Sequence, residues 1–336
     1  MLFSIVVPIY NAESTIYKCI NSLVNQKFDD FEIILVDDGS SDDTFNKCLK
    51  YSKDYSNIKV INQENNGVGS ARNKGIDYAD GDYILFIDSD DYIEKNALSI
   101  YQNIVKLNNP DIIISGYRQT IIDTKAERIY SYSKKWFGSL NEFIKIHFEE
   151  LFDNWLIHSP WNKLFKRDII LKNNIRFSQN YSIYEDIGFV LDYLISSESI
   201  CIIPDVLYNY NVKEQGSLVT KFHENAYIAY LDCWIRLKDL MFNSGVVNDK
   251  LYNKLQVFIC NKIFGYLKEL YRNRAKNIYN HRKLIISEIC SNDNFSDLIH
   301  GLKLKKIHQK AELFLMKHSR IQSMNFLLSL IYRCSK

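Results

Sequence analysis

The sequence predicts an α/β protein, with a mostly parallel sheet flanked by helices and an α-helical carboxyl-terminal extension. In the first third of the chain, short strands that are almost wholly apolar alternate with amphipathic helices. Such strands are buried on both faces, which is typical of a parallel sheet covered by helices. Clusters of acidic and polar residues follow these strands. Ligands of open α/β sheets bind at that edge.

The individual elements follow from local patterns. Strands are predicted where apolar residues run together and stop at polar or turn-forming residues: Phe3–Val7, Ile33–Val36, Ile58–Ile61, Tyr83–Ile87 and Asp111–Ser115. Helices are predicted where apolar residues recur three and four apart: 13–24, the segment after Ser41 and Asp42, 68–79, 139–152 and 187–196. Residues 116–135 show no clear period. Beyond Phe222 the spacing is helical, with an interruption near Ser291–Phe295.

Composition excludes several classes of protein. The 336 residues are 46% hydrophobic and 24% charged, an ordinary globular mixture with room for two domains. A net charge of +2 gives no general support for nucleic-acid binding. The 7 cysteines form no C-x-x-C pair, so neither a zinc site nor a disulfide framework is expected. We find no secretory signal and no apolar run near the roughly 20 residues that span a membrane, and we expect a cytoplasmic protein.

Asp88-Ser89-Asp90 is the first candidate site. Two carboxylates two residues apart at the end of a strand can both reach one divalent cation in the following turn. Mn²⁺ and Mg²⁺ prefer oxygen ligands, and Mg²⁺ commonly takes only one or two carboxylates from the protein. The alternative is a solvated turn, because aspartate and serine are also frequent in loops. The position directly after a buried strand favours the metal site.

Three further polar segments leave two interpretations open. Asp37-Asp38-Gly39-Ser40 could accept a hydrogen bond from a base or a ribose, or could be a strand-to-helix turn with a cap. Arg72 suits a phosphate or a uracil carbonyl. It also stands at the third glycine position of a dinucleotide-binding motif, which disfavours that fold. Glu185-Asp186 opens a predicted helix. These residues could be a functional acidic pair, or they could be ordinary acidic residues that the helix dipole favours at a helix amino terminus.

Four segments in this order closely resemble glycosyltransferase family 2: Ser4–Asn11, Val36–Ser40, Gly69–Gly75 and Phe86–Asp91. A weaker resemblance continues through Trp161–Arg167 and Tyr184–Asp186 to about residue 220. This part is similar to the bacterial capsule, cell-surface polysaccharide and teichoic acid branch. The resemblance implies a Rossmann-like GT-A fold and an inverting transfer from a nucleotide diphosphate donor, expected to be a UDP-sugar. The acceptor would be a hydroxyl of a glycan or of a polyprenyl-diphosphate-linked molecule.

Some of the roles that the resemblance implies concern the nucleotide. Three residues would line a uridine pocket: Pro8, Tyr10 and Asn11. Asp38 would hydrogen-bond the uracil, and Arg72 would lie beside the nucleotide. Asp88 would contact the ribose or the sugar.

Other implied roles concern catalysis. Asp90, together with Asp88, would hold Mn²⁺ or Mg²⁺ at the diphosphate. Asp186 would be the base that takes the proton of the acceptor hydroxyl, and Glu185 would orient it or bind the acceptor. Relatives often carry an arginine where this chain has Asn211. Two lysines are possible contacts of the diphosphate or the acceptor: Lys163 and Lys213.

The resemblance also suggests three parts of the chain. Residues 1–118 would be the nucleotide-sugar-binding half of the GT-A domain, 119–222 its acceptor-binding half, and 223–336 a helical carboxyl-terminal region. From Gly301 onward the chain is basic and amphipathic. This suits either an anionic membrane surface, at the inner face of the plasma membrane, or packing on the catalytic domain. Oligomerisation is left open.

Two other functions compete with sugar transfer. A sugar nucleotidyltransferase would need a glycine-rich loop after the first strand, where this chain has Tyr10–Glu13. A catalytically weak scaffold of a polysaccharide assembly complex would not need the acidic residues that are intact here. Both alternatives are therefore disfavoured.

Overall fold

The computed structural model describes residues 1–212, 222–246, 248–272 and 278–304, and the single residues 310, 313 and 316. The chain divides into two compact units, Met1–Thr220 and Lys221–Lys336. We call them unit 1 and unit 2. Unit 1 contains the sheet, and the described part of unit 2 is built from helices.

The first half of unit 1 contains the predicted alternation of strands and helices. Its elements are β1 (Phe3–Ile9), α1 (Ile16–Val24), β2 (Phe31–Asp37), α2 (Thr44–Asp54), β3 (Ile58–Asn62), α3 (Val68–Tyr78) and β4 (Tyr83–Phe86). The strands pair in parallel in the order β3-β2-β1-β4. Every residue of β1, β2 and β4 is buried, which explains their nearly unbroken apolar sequence. The predicted α/β arrangement is confirmed.

The second half of unit 1 completes the sheet. Its elements are β5 (Tyr92–Ile93), α4 (Ala97–Asn108), β6 (Ile112–Ile121), β7 (Glu127–Tyr130), β8 (Trp136–Ser139), α5 (Leu140–Ile146), α6 (Phe148–Asp153), β9 (Lys163–Lys166), α7 (Arg167–Lys172), α8 (Glu185–Ile195) and β10 (Ser199–Val212). Strand β9 lies between β4 and β6 and is antiparallel to both. Strand β6 pairs in parallel with β10 and antiparallel with β7. The end of β6 and most of β7 are partly or fully exposed, so burial imposes no apolar pattern on residues 116–135.

Two glycines determine how closely α3 packs on its neighbours. A Cβ atom on Gly75 would overlap Cγ1 of Val6 in β1. A Cβ atom on Gly69 would lie 3.2 Å from the carbonyl oxygen of Ser178 and 3.3 Å from Cβ of Phe177. The lack of side chains therefore lets α3 approach both the sheet and the segment that leads into α8.

An aromatic cluster fills the core between β4 and α8. Phe177 stacks on Phe189 with ring centroids 4.1 Å apart, and Phe86 lies edge-on to them at 5.2 and 5.5 Å. All three rings are almost completely buried. Truncation of a buried phenylalanine to alanine costs about 3–5 kcal/mol, so this cluster fixes α8 relative to β4.

In the described residues, unit 2 contains α9 (Ala226–Asn243), α10 (Asp249–Arg272), α11 (Ile278–Ser291) and α12 (Asp293–Ile299). Asp297 accepts hydrogen bonds from Trp234 Nε1 at 3.0 Å and from Lys238 Nζ at 2.8 Å, which joins α12 to α9. The interruption predicted near Ser291–Phe295 is confirmed, because Asn292 separates α11 from α12.

The basic amphipathic segment that begins at Gly301, predicted to lie on a membrane surface or to pack on the catalytic domain, is mostly outside the described residues. Two of its apolar residues that are described, Leu313 and Met316, are buried. Across the described helices of both units, none is long and apolar enough to cross a lipid bilayer.

Candidate functional site

The polar segments that follow β1 and β2 meet at one edge of the sheet. The backbone N–H of Asn11 donates to Ser40 Oγ at 3.0 Å, and Asn11 Oδ1 accepts from the N–H of Ser41 at 2.8 Å. Tyr10 is 53% exposed at this edge, whereas Pro8 is buried in β1. Asn11 thus positions the segment after β2, and the ring of Tyr10 is accessible to a flat ligand.

Asp38 is 3% exposed and holds the loop that leads into α3. Its Oδ1 accepts from Gln63 Nε2 at 2.7 Å and from the N–H of Asn66 at 2.9 Å, and its Oδ2 accepts from the N–H of Gly67 at 2.8 Å. Gly67 has a φ of +86°, a conformation that glycine adopts readily. Oδ2 retains a second lone pair. A hydrogen bond that a uracil N–H would donate to this oxygen of Asp38 stays a prediction.

Arg72 is 2% exposed and joins two acidic motifs that are far apart in the sequence. Its Nη1 lies 2.5 Å from Asp186 Oδ1, and its Nη2 lies 2.8 Å from Asp88 Oδ1. The guanidinium group also lies 5.1 Å from the ring centroid of Phe177. Burial alone would lower the pKa of Arg72, but the carboxylates of Asp186 and Asp88 outweigh it and raise that pKa above its usual value. We call this arrangement the Arg72 bridge.

Glu185 and Asp186 form the first turn of α8. The preceding Tyr184 has a φ of +64°, a left-handed conformation that costs a bulky residue of order 1–3 kcal/mol. Burial raises the pKa of Asp186 to about 7, an effect that Glu185 and Asp88 reinforce and that Arg72 opposes. Burial also raises the pKa of Glu185. The side chain of Asp186 is 29% exposed, so a ligand can reach a carboxylate that is suited to accept a proton near neutral pH.

The three aspartates that follow β4 have different environments. Asp91 is buried and accepts hydrogen bonds from Tyr208 Oη at 2.6 Å and from the N–H of Asn211 at 2.7 Å. Burial raises the pKa of Asp91, and the charges of Asp90 and Asp88 add to this effect. Asp91 is therefore a structural residue that ties β10 to the end of β4.

Asp88 and Asp90 fit a divalent cation whose other ligands come from outside the protein. The side chain of Asp88 is 26% exposed, with Oδ1 on Arg72, and Asp90 is exposed. Among the residues that the structure describes, no group of three or more histidine, cysteine, aspartate or glutamate side chains forms a metal cage. Two accessible carboxylates are the donor set expected for Mg²⁺ that also binds phosphate oxygens and water.

The ammonium group of Lys163 is buried and is not available to a ligand at this edge. The residue is 0% exposed, and its Nζ donates to the carbonyl oxygens of Leu156 and Ser159 at 2.6 and 2.5 Å and to Asn162 Oδ1 at 2.7 Å. These bonds use all three donors of the ammonium group. The structure therefore contradicts the predicted contact of Lys163 with a diphosphate or an acceptor. Burial lowers the pKa of Lys163, although the charge of Asp186 opposes this.

Tyr210 is a site residue that sequence analysis does not single out. Its ring lies 5.2 Å from that of Trp161 at an interplanar angle of 24°. Burial raises the pKa of Tyr210 to about 12, and the charges of Asp186 and of the three aspartates after β4 add to this effect. The sequence does contain a signal for Tyr210. It lies two residues after Tyr208, and side chains two apart in a strand point to the same face. The other predicted cation, Lys213, lies outside the described residues.

The fold and the site define an α/β protein whose acidic strand ends suit an anionic ligand bound with a metal ion. Residues 4–172 match the model of glycosyl transferase family 2. This match spans half of the chain. The protein belongs to glycosyl transferase family 2.

Two relatives illustrate the range of the similarity. The cholesterol galactosyltransferase of Borreliella burgdorferi is 32% identical over 223 residues, which cover 64% of this chain and 61% of that protein. The poly(ribitol-phosphate) beta-glucosyltransferase of Bacillus spizizenii is 32% identical over 286 residues, which cover 83% of this chain and 42% of that protein. The chain thus spans less than two thirds of the length of either relative.

A solved structure supports the GT-A fold. Residues 1–349 of TarS from S. aureus, in complex with UDP-GlcNAc, align over 100% of this chain and 93% of that one, with a TM-score of 0.74 and 21% sequence identity. At this identity the likeness shows the fold. Together with the family match, it confirms the architecture predicted from the sequence.

Proposed function

We propose that this protein is an inverting, metal-dependent glycosyltransferase. It transfers a hexosyl or N-acetylhexosaminyl group from a UDP-sugar to a hydroxyl of a glycan or lipid-linked acceptor in cell-surface polysaccharide synthesis. Membership of the family supports the reaction class. The names of the relatives, one acting on cholesterol and one on poly(ribitol-phosphate), support hydroxyl acceptors that are lipids or polymers.

The Arg72 bridge is the observation that carries this proposal. Arg72 holds a carboxylate with a pKa of about 7, Asp186, close to Asp88 at the predicted donor site. A transferase needs this juxtaposition, because the proton acceptor and the leaving diphosphate lie on opposite sides of one anomeric carbon. A scaffold would have no need for a carboxylate with a perturbed pKa beside a partly exposed acidic turn.

The reaction follows from these positions. When bound, Mn²⁺ or Mg²⁺ would supply positive charge that stabilises the departing diphosphate. Asp186 takes the proton from the acceptor hydroxyl as that oxygen forms a bond to the anomeric carbon from the face opposite the diphosphate. The bond from the anomeric carbon to the diphosphate oxygen breaks, and its electron pair leaves with UDP. One displacement inverts the anomeric configuration without a covalent enzyme intermediate.

On the donor side, Tyr10 and Asp38 suit the uridine. The exposed ring of Tyr10 would stack on the base, and the remaining lone pair of Asp38 Oδ2 would accept the uracil N–H. Asp90 and the second oxygen of Asp88 would hold the cation. Glu185, buried beside Asp186, would orient that base.

Release of UDP from a panel of UDP-glucose, UDP-galactose and UDP-N-acetylglucosamine, with and without Mn²⁺, tests the proposal. We expect Mn²⁺-stimulated release from at least one donor. Asp90→Ala should abolish the metal stimulation, and Asp186→Asn should lower transfer to a true acceptor by about 10²–10⁴-fold. Asp43→Ala is the matched control, because Asp43 is an exposed aspartate directly before α2 whose side chain makes no capping hydrogen bond. Undiminished transfer by Asp186→Asn would remove Asp186 as the base.

A further inference from the structure

Three aromatic side chains form a stack that ends at the site. Tyr208 and Trp161 lie 4.3 Å apart at 18°, and Trp161 and Tyr210 lie 5.2 Å apart at 24°. Tyr208 is 1% exposed and Trp161 5%, whereas Tyr210 is partly exposed. Tyr117 packs edge-on against Trp161 at 4.7 Å and supports it from the side. Tyr210 is thus the accessible end of a rigid aromatic stack.

The stack is fixed next to the acidic turn after β4. Tyr208 Oη donates to Asp91 at 2.6 Å, the N–H of Asn211 donates to the same carboxylate at 2.7 Å, and Asn211 Nδ2 donates to the carbonyl oxygen of Asp90 at 2.7 Å. Tyr210 lies between the two residues that make these bonds. Its position relative to the predicted metal ligands is therefore fixed by hydrogen bonds on both sides.

We infer that Tyr210, backed by Trp161, is the surface on which the pyranose ring of the nucleotide-sugar donor packs. This inference rests on the proposed function and adds the contact to the transferred sugar. The bonds from Asn211 hold Tyr210 beside the predicted metal ligands, and the charges of the aspartates after β4 and of the predicted base Asp186 all act on its phenol. The ring that carries the anomeric carbon must occupy the space between them. Its C–H face suits a flat aromatic surface.

Calorimetric titration of the full chain with UDP and with UDP-glucose, UDP-galactose and UDP-N-acetylglucosamine, all with Mn²⁺, tests this inference. Tyr210→Ala should weaken binding of the preferred UDP-sugar about tenfold, or about 1.4 kcal/mol. It should leave UDP affinity within about twofold, because UDP has no pyranose ring to lose. Tyr210→Phe should regain most of the loss, since it keeps the ring and removes the hydroxyl. Tyr78→Ala, at an exposed tyrosine of α3, is the control.

Equal weakening of UDP and UDP-sugar by Tyr210→Ala would overturn the inference, because the contact would then be to the nucleotide. Unchanged affinity for both would also overturn it. Tyr210→Leu keeps an apolar side chain without a flat ring and serves the same comparison if the alanine variant does not fold. Failure of the proposed function is distinguishable, because the unmodified protein would then bind neither UDP nor any UDP-sugar.

Discussion

Replacement of Arg72 by methionine tests whether the Arg72 bridge is a structural cross-link. Methionine keeps an unbranched apolar stem but ends short of the guanidinium position, so Asp88 and Asp186 would face each other without a cation. Removal of one partner from a buried ion pair costs about 3–5 kcal/mol. Because the two carboxylates are 26% and 29% exposed, solvent screening reduces this, and we expect a loss of about 2–4 kcal/mol in the free energy of unfolding. Urea unfolding gives this free energy as the product of the midpoint concentration and the slope of the transition.

Arg176 provides the matched control. It pairs with Asp77 at 3.1 Å, and the two side chains are 31% and 54% exposed. Pairs of this kind contribute about 0–1 kcal/mol, so Arg176→Met should have a small effect. Arg72→Lys should fall between the two, because lysine keeps the charge but lacks the planar fork that reaches two carboxylates. Equal losses for Arg72→Met and Arg176→Met would refute the reasoning.

Three further outcomes follow from the site. Asp186 must be deprotonated to accept a proton, and its pKa is about 7. We therefore expect kcat/KM to fall as the pH decreases below about 7, approaching tenfold per pH unit. A flat profile in this range would argue against Asp186 as the base. Lys163→Met should lower the free energy of unfolding by about 2–4 kcal/mol in thermal or urea unfolding, because buried acceptors lose their donor. An unchanged free energy of unfolding together with weakened UDP binding would show that Lys163 contacts the ligand. Asp38→Asn places the NH₂ group of an amide near the N–H groups of Asn66 and Gly67, where the carboxylate accepts hydrogen bonds. Hydrogen exchange of that loop should therefore accelerate, and UDP affinity should fall. Unchanged exchange would contradict the role of Asp38 in holding the loop.

Much of unit 1 can be predicted from the sequence, because β1, β2 and β4 are buried on both faces and their apolar runs leave little choice of element. The parallel order of these strands brings Asn11, Ser40 and Asp88 to one edge, as expected for strands that all end on the same side. The edge on which the acidic motifs lie therefore follows from the sequence. Strand β9 could not, because its four residues carry two lysines, and one of them is buried only through tertiary contacts.

Sequence alone determined the fold class and the edge of the sheet that carries the acidic residues, because these depend on local patterns of burial and spacing. The family was indicated by the resemblance of four motifs. Only the tertiary structure decided which charges meet. Arg72 lies 114 residues from Asp186 in the sequence. The ammonium group of Lys163 is buried and donates to backbone carbonyl oxygens rather than to a charged ligand. The pairing of Arg72 with Asp186 depends on how closely α3, α8 and β4 pack. That distance is set by glycines and aromatic rings whose effect appears only once the chain is folded.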